Sequence, residues 1–413
     1  MLSTKLKAYK NPAVVIGGGV TGLGIIRNLG RNGVDVYCVV DEKNEAVFSK
    51  YCREYFVFPG VEYDLEKLKT FLTKLKRRLP RKAVIFPTSD ISVLNVSRLI
   101  SGTSDYLSTI TSQEVLETLV KKRKFYHSLI KRKVPHPVTL LDISEIKNIS
   151  RRMSFPVYVR PSISEIFSKK FGKKGFVANS ERDLHRYLRL MDKLKIDVMI
   201  QEIVPGPVTN YYNIDGYLDK NSRPIVLFAR RSLRMWPPSF GNTTACISVP
   251  TSEVVDMKET IVRYLASIGF HGIFNAEFKR DPRDNVDKLL EVNARSWWHN
   301  SFPSACGANI VLTAYLDAVG VEVKTVEDYE TGTCLIYCME DLKCISTLFI
   351  QGKLSLRELV SPLAGKKCWT ILAKDDLNPF IMSSLYKVLT IKKYRKMIAI
   401  VREEDKLSNL FKS

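Results

Sequence analysis

The sequence has no apolar run approaching the about 18 residues that cross a bilayer, and its leader, MLSTKLKAYKNP, lacks the apolar stretch of a secretory signal. Both absences point to a cytoplasmic protein. Eight cysteines in 413 residues are too sparse for a disulfide scaffold, and no CxxC pair occurs. Cys334, Cys338 and Cys344 are the one tight group. Cys334 and Cys338 share a face of the expected strand TCLIYC, where free cysteine behaves as a small buried apolar residue rather than a metal ligand. There is no internal repeat and no low-complexity segment. Zinc-finger, homeodomain and RNP-type patterns are also missing.

What is abundant is positive charge: 64 Lys and Arg against 43 Asp and Glu, a net of +21. Such a field favours anions. Without a nucleic-acid-binding motif, the expected partners are small anions rather than DNA or RNA. The basic clusters are KKRKFYHSLIKRK, SKKFGKKG and IKKYRK. The last lies in an amphipathic C-terminal segment, IMSSLYKVLTIKKYRKMIAIV, that reads as a helix on its own protein, with weak membrane-surface contact as the alternative.

Hydrophobic patterning divides the chain. Residues 1–112 alternate continuous apolar runs (PAVVI, VDVYCVV, AVIFP) with amphipathic ones, the pattern of a parallel sheet covered by helices. A charged helix, Gln113 to Lys133, leads into a second unit with strands FPVYVRP and VMIQEIV and a helix from Glu181 to Lys195. A strand-rich stretch follows, with two strands, HGIFNAEFKRD and KLLEVNARSWW, either side of the turn-rich DPRDNVD. The boundaries are an α/β domain over 1–112, an α+β domain over 113–325 (small lobe about 135–204, large lobe about 205–325), and an extension over 326–413.

Two features carry chemistry. The first is Gly17-x-Gly19-x-x-Gly22 between a strand and a helix, the spelling of a dinucleotide-binding turn, with Asp41 placed where a ribose-binding acid would stand. Taken alone it suggests an NAD-dependent oxidoreductase, but glycine turns of this form also serve strand-to-helix packing. The alternative ligand is a substrate carboxylate or phosphate at the helix N-terminus. The second is E-x-N-x-R. On a strand Glu291, Asn293 and Arg295 project together, and with Glu277 on the adjacent strand they make an oxygen-rich site for Mg²⁺ (or Mn²⁺), with Arg295 beside it for a phosphoryl or carboxylate group. His299, Asn300 and Ser301 follow, either facing substrate or forming a polar turn.

Over most of its length the chain resembles the ATP-grasp superfamily, and within it the predicted carboxylate-amine ligases similar to D-aspartate ligase. The resemblance rests on PAVVIGGGVTGLGIIRNLGRNGVDV, KKRKFYHSLIKRKVPHPVT, FPVYVRPS, IQEIVPG, ARRSLRMWPPSFGNTT, GFHGIFNAEFKRDPRDNVDKLLEVNARSWWHNS and DDLNPF, in matching order. It implies an ATP-grasp fold, α/β and α+β, with an N-terminal Rossmann-like pre-ATP-grasp domain and two lobes that close on ATP. It implies Glu277, Glu291 and Asn293 as magnesium ligands and Arg295 and Arg234 as catalytic residues. Lys122, with Lys124 as its rival, Arg160 in place of a lysine, and Lys174 are implied phosphate contacts, and Gln201, Glu202 and Val204 the adenine-reading strand. The implied reaction joins a small-molecule carboxylate to an amine through an acyl phosphate. SISEIFSKKFGKKGF suits a cover over the phosphates. The alternatives to a ligase are the oxidoreductase and a non-catalytic nucleotide- or polyanion-binding protein. A homodimer is the default assembly.

Overall fold

The structure, a computed structural model, describes residues 11–102, 104–142, 149, 153–162, 167, 171–237, 241–326, 328–353, 355 and 365–389. The chain opens with β1 (Ala13–Ile16), α1 (Gly19–Gly30), β2 (Val36–Val40), β3 (Cys52–Val57), α2 (Leu65–Lys76), β4 (Val84–Pro87) and α3 (Asp90–Ile100). The four strands form a parallel sheet in the order β3-β2-β1-β4. Strands β1, β2 and β4 are buried along their whole length, as their unbroken apolar runs require, whereas CREYFV in β3 alternates and lies at the edge. Helix α3 begins at a capping box between Ser89 and Ser92. That box fixes the first turn, and with it Asp90, above the C-terminal end of the sheet.

The single helix expected over Gln113–Lys133 is two helices, α4 (Gln113–Val120) and α5 (Lys122–Lys131), separated by Lys121 in an extended conformation with ψ 106°. The break has a packing reason. It turns Lys122 inward, where only 6% of its surface is exposed, and lets its backbone N–H reach the Ser162 carbonyl at 3.3 Å.

The small lobe comprises β5 (Thr139–Leu140), β6 (Val157–Pro161), β7 (Phe176–Ala178), α6 (Glu181–Lys193) and β8 (Val198–Glu202), its antiparallel sheet ordered β5-β8-β6-β7. Ser180 caps α6, which buries Leu184 and Met191 on the sheet. The large lobe follows with β9 (Tyr211–Leu218), β10 (Pro224–Trp236), β11 (Asn242–Val249), α7 (Val255–Ser267), β12 (Gly272–Arg280), β13 (Asp287–Asn293), α8 (Ser301–Ala305) and α9 (Ile310–Ala318). The remaining elements are β14 (Cys334–Ile336), α10 (Cys338–Ile350), β15 (Lys367–Trp369) and α11 (Asn378–Leu389). The large-lobe sheet runs β13-β12-β9-β10-β11-β14-β15, so two strands of the 326–413 extension are hydrogen-bonded into it.

The expected strand TCLIYC ends at Ile336, and Cys338 opens α10 instead. Cys334 and Cys338 therefore do not share a strand face. Among the described residues no group of three or more His, Cys, Asp or Glu side chains is placed to hold a metal ion.

The cores are unequally shared. One cluster joins Leu23 and Ile26 of α1 to Tyr217, Phe228, Phe302 and Ile310 of the large lobe, so the α/β domain and the large lobe are packed as one body. Phe125, Tyr126 and Leu129 of α5 pack with Tyr212 and Tyr264 of the large lobe. The small lobe has a core of its own, around Val157, Val159, Leu184 and Ile200. At the far side Arg27 of α1 and Asp376 form a buried ion pair at 2.9 Å, with Ser49 Oγ donating to the same carboxylate at 2.6 Å, which fastens the extension to the first domain.

Candidate active site

Strands β12 and β13 are a hairpin whose register sets Glu277 opposite Glu291 and Asn275 opposite Asn293. Directly opposed residues share a face, so the two carboxylates and the Asn293 amide come together as the E-x-N spacing predicts. Burial, then the neighbouring Glu291 charge, pushes the Glu277 carboxyl above its ordinary range. Burial would do the same to Glu291, but Lys122 and then Arg160 reverse it and hold that carboxyl low. Lys122 donates to Glu291 Oε1, and Arg160 Nη2 lies 4.0 Å from Glu291 Oε2.

Two buried carboxylates facing each other, with a hard amide oxygen beside them, fit a divalent cation that keeps part of its shell for phosphate oxygens. Such an ion would relieve the repulsion that raises Glu277.

The implied catalytic arginine, Arg295, is held from three sides. Its Nε donates to Asp90 Oδ1 at 2.7 Å, its Nη2 to Asn293 Oδ1 at 3.1 Å and its Nη1 to the Ser296 carbonyl at 3.0 Å. Behind it runs a chain of side chains across the sheet. Asn293 Nδ2 donates to Asn275 Oδ1 at 3.1 Å, Asn275 Nδ2 to Asp215 Oδ1 at 2.5 Å, and Arg230 Nε to Asp215 Oδ2 at 2.9 Å. A carboxylate only accepts, so Asp215 obliges Asn275 to present its NH₂. That in turn orients the Asn293 oxygen toward Arg295.

Of the two rival lysines, Lys122 is the one at the carboxylates. Lys124 is half exposed and bonded to Glu117 at 2.7 Å on the outer side of α5. Arg160 donates to Gln201 Oε1 at 3.1 Å and to Tyr126 Oη at 3.2 Å. Gln201 in turn donates to Thr139 Oγ1 at 2.9 Å. Lys174 Nζ donates to Asn242 Oδ1 at 3.2 Å and lies close enough to lower both site carboxyls. The expected phosphate cover falls mostly outside the described residues, at 163–166 and 168–170.

Arg234 is placed elsewhere. Its guanidinium is buried in a two-pronged pair with Asp341 of α10, at 2.8 Å from Nε and 2.5 Å from Nη2, and Thr244 Oγ1 adds a third bond to that carboxylate. The side chain of Glu202 is likewise engaged within the protein, accepting from the Val138 N–H at 2.9 Å, Lys288 at 3.0 Å and Arg283 at 2.8 Å. Only its backbone is left to read a base. The Val204 carbonyl accepts from Lys279 Nζ at 2.7 Å. Lys279 was legible only as a continuation of the Asn275, Glu277 alternation on β12. It sits over the Tyr211 ring at 4.5 Å, and burial lowers its pKa to about 8.

The glycine turn does not suit a dinucleotide. The Gly19 N–H is bonded to Asn44 Oδ1 at 2.8 Å, and a Cβ on Gly17 would lie 2.6 Å from the Glu62 carboxylate and 2.0 Å from Thr88 Oγ1. Asp41 accepts from the Glu62 N–H at 3.3 Å. The anion site is thus filled by the protein's own side chains, one of them acidic, which speaks against a pyrophosphate and equally against the substrate anion expected there.

A Rossmann-like domain followed by two α+β lobes, with paired carboxylates on the larger sheet facing cations from the smaller lobe's side, is the ATP-grasp arrangement. No family model matches the chain. It is 24% identical over 309 residues to D-aspartate ligase of Enterococcus faecium, covering 67% of this chain and 72% of that protein. It is 26% identical over 227 residues to the carbamoyl phosphate synthase large chain of Saccharolobus islandicus, covering 53% of this chain but only 20% of that one. N5-carboxyaminoimidazole synthetase of Staphylococcus aureus, also solved with ADP, superposes with a TM-score of 0.63 at 15% identity, over 83% of this chain and 86% of the other. The chain belongs to the ATP-grasp superfamily, among its carboxylate-amine ligases, whose cofactors are ATP and Mg²⁺. Among the described residues no helix is long and apolar enough to cross a membrane.

Proposed function

We propose that the protein uses ATP to convert a carboxylate into an acyl phosphate and then joins the acyl group to an amine, one of the two substrates being an amino acid. The observation that carries this reading is the facing pair Glu277 and Glu291, with Asn293 beside it and Lys122, Arg160 and Arg295 around it. Amide formation from a free carboxylate in water is uphill, so the oxygen must first become a leaving group. Transfer of the γ-phosphoryl group asks for alignment and charge neutralisation rather than covalent help from the protein.

Glu277, Glu291 and Asn293 would hold Mg²⁺, which neutralises phosphate charge when bound. Lys122 and Arg160 stand where they would hold the phosphates from the α5 and small-lobe side. Arg295, fixed by Asp90, presents a planar donor to the transferred group or to the carboxylate. The nucleotide base would lie against the strand of Gln201, Glu202 and Val204 through its backbone.

The amino-acid assignment rests on the likeness to D-aspartate ligase. Purified protein incubated with ATP, Mg²⁺ and pairs of common L- and D-amino acids, D-aspartate first, is expected to release phosphate with at least one pair. Silence across the whole panel sinks the reading. A homodimer is the assembly to look for, by sedimentation.

A further inference from the structure

His299 is 4% exposed, and its Nε2 is a buried polar atom without a hydrogen-bond partner. The other side of the ring gives its N–H to the backbone carbonyl of Thr243. A neutral imidazole carries one N–H. With the proton committed to Thr243 at Nδ1, Nε2 is left as an unprotonated acceptor.

That nitrogen borders the carboxylate pair. Thr243 follows Asn242, which holds Lys174, and Lys174 acts on both Glu277 and Glu291. Arg230 acts on Glu277 and on His299 alike. The imidazole and the acidic pair therefore lie around one cavity, with Arg230 between them. Other groups there are poor acceptors: Arg160, Arg230 and Arg295 are permanent donors, Lys122 is bonded to Glu291, and Lys174 to Asn242.

Resting on the ligase reading above, we propose that His299 is the proton acceptor for the amine in the ligation step. As the amine nitrogen bonds to the acyl carbon it becomes positively charged and acidic. Nε2 takes its proton, the carbonyl re-forms, the bond from the acyl carbon to the phosphate oxygen breaks, and the proton passes to the departing phosphate. Amine and acyl phosphate become amide and hydrogen phosphate, and the imidazole is restored. Burial, and secondarily the Arg230 charge, holds the His299 pKa well below its ordinary value, which keeps the ring neutral for this role.

Hydroxylamine separates the two halves of the reaction. It traps acyl phosphates, and its nitrogen is acidic enough once bonded to lose a proton to water. The variant H299N retains an N–H near the Nδ1 position for Thr243 and removes Nε2; H299A removes both. With the carboxylate and amine that turn over in the wild type, both variants are expected to form hydroxamate within about threefold of wild type while amide formation falls about 10²- to 10³-fold. Imidazole in solution should partly restore the amide in H299A. Parallel loss of both products, or loss of neither, overturns the proposal. Failure of both variants to fold, read by thermal melting, makes the residue structural and overturns it too. A wild-type protein that makes no hydroxamate with any amino acid refutes the ligase reading itself.

Discussion

Glu291 accepts from Lys122 and faces Glu277, so it serves as a neutraliser of α5 and, on the proposed reading, as a metal ligand. Glu291→Gln keeps the shape and removes the charge. ADP release is expected to fall at least about 10²-fold, in the range of losing one charge-stabilising group, with the melting temperature little changed. Full residual activity would move the metal site elsewhere. Lys279 sets a different expectation. Its bond to the Val204 carbonyl fixes the interlobe strand rather than the reacting phosphate. Lys279→Met should therefore raise KM for ATP about tenfold, as loss of one charge-assisted bond would, and leave kcat nearly unaltered. An equal fall in kcat would show that Lys279 acts at the chemistry instead.

At the scale of elements, the turn between β12 and β13 and the end of β8 are tied by charge. Glu202 and Asp281 share Lys288 and Arg283. Burial would raise the Glu202 carboxyl, but the Val138 N–H and the two cations overcome it and hold it low, while Arg283 chiefly holds Asp281 low. Depressed carboxylates stabilise the fold above their unfolded pKa, near 4, and that stability is lost as pH falls through the folded values. Three histidines add an earlier step. Burial lowers the pKa of His136, His271 and His299, so below about 6.5 the unfolded chain binds protons that the native one refuses. The melting temperature should thus decline gently from about pH 6.5 and steeply below about pH 4. A flat profile between pH 7 and 5 would contradict the buried, neutral histidines.

At the scale of the molecule, the shared core of the first domain and the large lobe, and the separate core of the small lobe, make the small lobe the body free to move. Closure would carry Arg160 and the β8 strand against a fixed face bearing Glu277, Glu291 and Arg295. The rigid half depends on the Arg27 and Asp376 pair, whose side chains are 3% and 1% exposed. Removing one partner leaves a buried charge unpaired, so Asp376→Ala is expected to destabilise by about 3–5 kcal/mol, measured as a shift in the urea midpoint. The double variant Arg27→Met, Asp376→Leu should recover much of that loss. Nucleotide gives a complementary measurement: ATP with Mg²⁺ should raise the melting temperature, whereas NAD, opposed by Glu62 and the occupied Gly19 N–H, should not.

The residue pattern alone determined the parallel sheet, the β12–β13 hairpin and the grouping of Glu277, Glu291, Asn293 and Arg295, because strand periodicity is local and puts alternate residues on one face. It also supplied a glycine turn whose meaning it left open. Tertiary structure decided what depends on distant partners. Lys121 breaks the expected helix so that Lys122, not Lys124, meets Glu291; Asp90 arrives from another domain to hold Arg295. Asp341, on a helix of the extension, claims Arg234, and Glu62 fills the glycine turn. These outcomes rest on contacts between residues remote in the chain, where burial and charge pairing override local preference, and no periodicity records them.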